Sequence, residues 1–134
     1  MKTIKYNVEI HYNDNDKWSL TTWYQDGQYH RLDGPAVEHA SGHKEWHQYG
    51  KFHRLDGPAI ERANGDKLWY QEGKLHRLDG PAYTDISGYK SFYIKGDYYS
   101  DEDSFRKEIN KLIKLDFANL MIEIEGTKYQ LNKV

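Results

Sequence analysis

Residues 46–68 read WHQYGKFHRLDGPAIERANGDKL, and the same 23-residue frame stands on both sides of them. Residues 23–45 read WYQDGQYHRLDGPAVEHASGHKE and residues 69–91 read WYQEGKLHRLDGPAYTDISGYKS, without insertion or deletion. The run HRLDGPA is identical in all three units. A fixed period of this length marks a repeat architecture, in which each unit stacks on the next because it cannot bury its apolar surface alone. A fourth unit opens at Phe92 with FYIKGDYY and breaks off where Ser100, Asp101, Glu102 and Asp103 replace HRLDGPA.

Inside a unit the local signals are those of antiparallel hairpins. Pro35, Pro58 and Pro81 each start a short strand, such as residues 59–62, where a missing N–H costs least. Ser41-Gly42, Asn64-Gly65 and Ser87-Gly88 are two-residue turn signals. Asn-Gly is the strongest, because both central residues of a type I′ turn need positive φ. The returning strand, residues 67–71, carries Trp69 and Tyr70 and ends at Gly73, with Gly27, Gly50 and Gly96 at equivalent points. Alternation puts Trp69 and Tyr70 on opposite faces, and the Trp face is expected to be buried. Strands lie about 4.8 Å apart, so equivalent residues two strands on are separated by roughly 10 Å.

Working outward, Ile4, Tyr6, Val8, Ile10 and Tyr12 alternate as a half-buried strand, Asn13 to Asp16 form a turn, and Trp18, Leu20 and Thr22 return. Ser100 with Asp103 resembles a capping box, and Phe105, Ile109, Leu112 and Ile113 follow at helical spacing. Residues 121–125 and 128–131, around Gly126-Thr127, read as a small terminal hairpin. The expected fold is mainly β: a single-layer antiparallel hairpin meander capped by a C-terminal helix and that hairpin. It forms one domain over residues 1–134, made of an N-terminal hairpin (1–22), the array (23–99) and the cap (100–134). The cap is expected to cover the open sheet edge, which would otherwise invite association.

Composition excludes several classes. Leu, Ile, Val and Phe make only 26 of 134 residues, but a net charge of −2 with 12 Tyr and 4 Trp argues against disorder and for an aromatic core. There is no Cys, which removes disulfide scaffolds and thiolate metal sites and fits a reducing cytoplasm. The N-terminus shows no apolar leader and no stretch is long enough for a membrane span. Charges are interspersed, with no basic stripe for nucleic acid.

Two sets of residues are candidates for function. His30, Arg31 and Asp33, with His53, Arg54, Asp56 and His76, Arg77, Asp79, combine an acid, an anion clamp and a base. Active sites are seldom triplicated, so a structural role is expected, with Arg pairing to a nearby Asp and Asp accepting turn N–H groups. No metal or cofactor is expected. The unit spacing is too long for His30, His53 and His76 to share an ion, His39, His43 and His47 straddle a turn, and residues 13–16 lack the distal ligands of a calcium loop. The second set is aromatic: Tyr24, Tyr49, Tyr70 and Tyr93 on the sheet face, too many rings for one sheet to bury.

The period, the aromatic-x-x-Gly-Lys-x-His run and the paired short strands resemble MORN repeats, which implies a single-layer hairpin ladder. MORN repeats carry Gly-x-Gly where this chain has Arg54-Leu55-Asp56-Gly57-Pro58, so their lipid-binding and junctional roles do not transfer. The WYxxGxxHRxDGPA unit followed by an acidic helix start is also similar to small bacteriophage proteins, over residues 23 to about 110. That resemblance implies a non-enzymatic module acting in the host cytoplasm; edge strands and tyrosines allow a monomer or a homodimer. Its partner would be a host protein, such as a component of a defence system inhibited in the manner of an anti-CRISPR. The alternatives are an enzyme using the repeated His, Arg and Asp on a phosphate-bearing ligand, or a phage assembly component.

Overall fold

Turn chemistry decides which strands pair, and two kinds of turn alternate along the chain. The computed structural model describes residues 3 and 5–126, in two compact units, Met1–Tyr98 and Tyr99–Val134. The strands are β1 (Asn7–Tyr12), β2 (Trp18–Gln25), β3 (Gln28–Tyr29), β4 (Val37–His39), β5 (Lys44–Glu45), β6 (His47–Gln48), β7 (Lys51–Phe52), β8 (Ile60–Glu61), β9 (Lys67–Leu68), β10 (Tyr70–Gln71), β11 (Lys74–Leu75), β12 (Tyr83–Thr84), β13 (Lys90–Ile94) and β14 (Asp97–Tyr99). One helix follows, α1 (Glu102–Gly126). The fold is mainly β and antiparallel, as expected.

A long sheet runs in the order β1-β2-β4-β5-β8-β9-β12-β13-β14, with β3 paired to the end of β2. Two small ribbons, β6-β7 and β10-β11, stand off it. Each unit thus makes two hairpins instead of one. The expected continuous strand through Trp69 is broken there: Leu68 belongs to the long sheet and Tyr70 to a ribbon, with Trp69 as the corner between them. Trp23, Trp46 and Trp69 all donate their backbone N–H to the alanine of HRLDGPA in the same relation, at 2.8, 2.8 and 2.7 Å to Ala36, Ala59 and Ala82.

The turns exchange the roles read from the sequence. At Asn64-Gly65 the chain closes with Gly65 N–H to Arg62 O and Arg62 N–H to Asp66 O, and only Gly65 has positive φ, 98°. This is a three-residue loop with a bulged glycine, not a type I′ turn. The type I′ geometry sits in the tight turns that join β2 to β3, β6 to β7, β10 to β11 and β13 to β14. There Asp26, Tyr49, Glu72 and Lys95 take φ near 50° (51, 50, 51 and 51°) ahead of Gly27, Gly50, Gly73 and Gly96.

Burial also departs from expectation, for a physical reason. A single layer has no second layer to cover large rings, so the fully covered side chains are small or polar. Ala36, Ala59 and Ala82 have no exposure, and Thr22, His30, His47, His76 and Ser91 are buried with Val37, Ile60 and Leu68. The repeat tryptophans Trp23, Trp46 and Trp69 are only half-buried, and Trp18 is exposed. Likewise β1, expected half-buried, is the sheet edge and is exposed along its whole length, Val8 and Ile10 included. Ile4 lies outside the described residues.

In the second unit, Asp101 caps α1 by accepting from Ser104 N–H (2.8 Å) and Ser104 Oγ (3.0 Å), so Asp101 and not Ser100 is the cap. Phe105 is buried, with the Tyr99 ring edge-on at 6.1 Å. Ile113, Leu115 and Phe117 are exposed. Residues 121–125, expected as a strand, are helical instead, because α1 continues to Gly126; residues 128–131 of the expected hairpin lie outside the described residues.

An L-residue in the left-handed region is disfavoured by about 1–2 kcal/mol, and Asn tolerates it best. Lys95→Asn, which keeps the turn N–H, is therefore expected to stabilise the protein by about 0.5–1 kcal/mol, read as a higher urea midpoint.

Candidate functional site

Histidine joins each unit to the next. His30 Nδ1 accepts the Tyr49 N–H at 3.0 Å, His53 Nδ1 the Glu72 N–H at 3.1 Å, and His76 Nδ1 the Lys95 N–H at 2.9 Å. Each donor is the strained first residue of a ribbon turn, 19 residues ahead. Backbone bonds flank each contact: Gly50, Gly73 and Gly96 donate back to Tyr29, Phe52 and Leu75, and Arg31, Arg54 and Arg77 donate to His47, Tyr70 and Tyr93. An acceptor Nδ1 requires neutral imidazole protonated on Nε2. Burial, opposed at His30 by Asp26 and reinforced at His76 by Lys95, pushes both rings below the usual imidazole range. At His53 the Glu72 carboxylate also stands 3.0 Å from Nδ1.

Arginine organises the loop. Arg54 Nε donates to Asp56 at 2.9 Å, while Nη1 reaches the Pro58 carbonyl and the Glu61 carboxylate, both at 3.1 Å. Its guanidinium carbon lies 3.9 Å from the Trp46 ring centroid. Arg31 repeats the set with Asp33, Pro35, Glu38 and Trp23; Arg77 does so with Asp79, Pro81 and Trp69, Thr84 replacing the glutamate. The hydrogen bond from each arginine holds Asp33, Asp56 and Asp79 below the usual carboxylate range. Gly57 is required by close approach: a Cβ there would meet the Arg54 guanidinium carbon at 2.8 Å.

The expected Arg–Asp pairing is thus present in all three units, but the histidines are turned to the next unit's backbone. Between successive loops lie two equivalent grooves. One, about 610 Å³, is lined by Arg31 to Pro35 on one side and His53 to Asp56 on the other, with Trp46 and Gln48. The other, about 630 Å³, is lined by Arg54 to Pro58 and His76 to Asp79, with Trp69 and Gln71. Leu32, Leu55 and Leu78 are exposed and line these grooves. Sequence reasoning passed over them; the signal was an apolar residue kept identical inside a polar turn motif.

Along the tight-turn hairpins the rings form a ladder from Tyr24 to Tyr70, with a further pair in the last hairpin. Tyr24 meets Tyr29 at 4.9 Å between centroids, Tyr29 meets His47 at 5.3 Å, His47 meets Phe52 at 4.4 Å and Phe52 meets Tyr70 at 5.2 Å. Tyr93 and Tyr98 make the same cross-strand pair at 5.3 Å. Tyr24, Tyr70 and Tyr93 are half-buried, while Tyr29 and Tyr98 are open. Tyr49 stands apart from this row. His47 occupies the ladder position in its unit, and Tyr49 sits in the turn, 65% exposed, with its ring 4.5 Å from that of His30.

The clustered histidines of the first unit converge on Glu45. His43 Nε2 and His47 Nε2 each lie 2.9 Å from one of its oxygens, and the His39 ring is edge-on to His43. The hydrogen bond from His47, joined by that from His43, outweighs burial and holds Glu45 at about 2. His47 Nδ1 and Thr22 Oγ1 are buried without a hydrogen-bond partner among the described residues. Among the described residues no group of three His, Cys, Asp or Glu is arranged to hold a metal ion, and no helix is long and apolar enough to cross a membrane. Compared with protein-family models, curated proteins and solved structures, the chain finds no match.

Two predictions follow from this geometry. Folded His30 and His76 titrate below the unfolded value of 6.5, so between those values the unfolded chain binds more protons. Their contribution is complete above pH 6.5 and is lost as the pH falls toward the folded values, whereas Glu45 responds only between 4.5 and about 2. The urea midpoint is expected to fall from pH 7.5 to 5.5, and His76→Asn, which keeps an acceptor but cannot titrate, should flatten that fall. Gly57→Ala is expected to cost about 1–3 kcal/mol by displacing Arg54. Gly80→Ala should cost less, since its Cβ would stand 3.3 Å from the guanidinium carbon.

Proposed function

We propose that this chain is a non-enzymatic protein-binding repeat module. The ring ladder carries the reading. It presents rigid aromatic area with hydroxyl tips along one row of ribbons, the type of surface enriched where proteins meet. The loop residues support the same reading from the other side: each His Nδ1 is engaged with the next unit's backbone, and each guanidinium and its paired Asp with its own loop, three times over. An aspartate held low by arginine is also a poor general base. The resemblance to small bacteriophage proteins points to a host protein as the partner, such as a component of a defence system that the module blocks.

Affinity purification of the tagged chain from host lysate tests this, beside a folded variant with Tyr24→Ser, Tyr70→Ser and Tyr93→Ser. One stoichiometric partner is expected from the wild type. Each lost ring should cost about 1–2 kcal/mol of binding, so the triple variant should release it. A partner retained equally by the variant removes the ladder from the interface, and turnover of a phosphate ester by the purified chain would replace this reading with an enzyme.

A further inference from the structure

We propose that the two grooves between successive HRLDGPA loops form a docking site for a proline-rich segment in polyproline II conformation. This deepens the reading of a protein-binding module, but on a surface other than the ring ladder. The match is one of chemistry and of spacing.

The grooves combine apolar walls with unpaired indole and imidazole N–H donors. Leu32 and Leu55 line one and Leu55 and Leu78 the other, each with a tryptophan and a proline. The indole N–H groups of Trp46 and Trp69 and the amides of Gln48 and Gln71 find no hydrogen-bond partner among the described residues. His76 is 8% exposed and lines the second groove; its Nδ1 accepts from Lys95, which leaves the proton on an Nε2 that has no acceptor among the described residues. A ligand matching these walls and donors is apolar and carries carbonyl acceptors. Proline supplies that combination, since it has a ring and a carbonyl but no N–H.

Charge disfavours an anion. Arg54 and Arg77 are neutralised by Asp56 and Asp79, whose ionised carboxylates line the same groove. An extended β peptide repeats its side chains on one face about every 6.7 Å, out of step with units roughly 10 Å apart, and a sugar chain would set hydroxyls against leucine walls. The spacing agrees as well. A polyproline II helix advances about 9.3 Å per three-residue turn, and the grooves repeat with the unit, roughly 10 Å apart. One proline face of two successive turns therefore meets both grooves in register.

Fluorescence anisotropy with labelled dodecaproline tests the proposal against a Gly/Ser peptide of equal length. Saturable binding of dodecaproline alone is expected, at least tenfold tighter than that of triproline, which spans one groove. Leu55→Asp, on the wall shared by both grooves and 75% exposed, should weaken binding at least tenfold with an unchanged thermal midpoint. Leu55→Ser should reproduce the loss without added charge. The ladder variant with Tyr24→Ser, Tyr70→Ser and Tyr93→Ser should bind dodecaproline as the wild type does, so failure of the ladder reading and failure of this one are separate results. Equal binding of the Gly/Ser peptide, no saturation at millimolar peptide, equal affinity of the Leu55 variants, or binding of a β-linked hexaglucoside in preference to dodecaproline would overturn it.

Discussion

The structure depends on a hydrogen bond from a strained turn amide to a histidine ring. Tyr49, Glu72 and Lys95 occupy a backbone region that their side chains disfavour, and in each case the amide so oriented meets Nδ1 of the preceding unit. An imidazole held as a neutral acceptor satisfies a backbone donor that no strand reaches. Because the His30 and His76 rings are themselves buried, the same contact fills the interior there. Hydrogen bonding and packing are here one event, repeated with the period of the sequence.

Such a device suits a protein that has one layer. With no opposing sheet, hydrophobic burial is confined to what a loop can fold over, and the loop must be rigid to do so. Arginine supplies the rigidity: one guanidinium ties an aspartate, a proline carbonyl and, in two units, a glutamate, while covering a tryptophan face that would otherwise be wet. Alanine completes the arrangement, since its position is wholly covered and takes part in backbone bonds through both its N–H and its C=O.

Much of this was legible in the sequence. Exact recurrence of HRLDGPA announced the array, and Arg and Asp two residues apart announced their pairing. The turns were harder. Asn64-Gly65 carries the strongest local hairpin signal, yet the type I′ geometry falls to Glu72-Gly73, whose local preference is weaker and whose conformation is held by His53 from outside the turn. The break at Trp69 was likewise invisible to a reading by alternation, because Leu68 and Tyr70 flank a corner and not a pleat. The terminal residues show the limit of pattern reading: Met121 to Glu125 alternate like a strand but continue a helix already begun at Glu102. Leu55 was overlooked because a single apolar residue in a turn has no periodicity within its own unit; its meaning appears only across units.

Each histidine reaches 19 residues forward, and so only to its immediate neighbour. Couplings among the described residues therefore run along the array like the teeth of a zip, from each unit to the next. A unit inserted in frame brings one new joint and disturbs none of the others, while a joint broken in the middle leaves two shorter segments, each still closed. The surfaces carried by the array scale in the same way. Its length, and with it the number of rings and grooves offered in a row, can change by whole units without any change in how a unit is made.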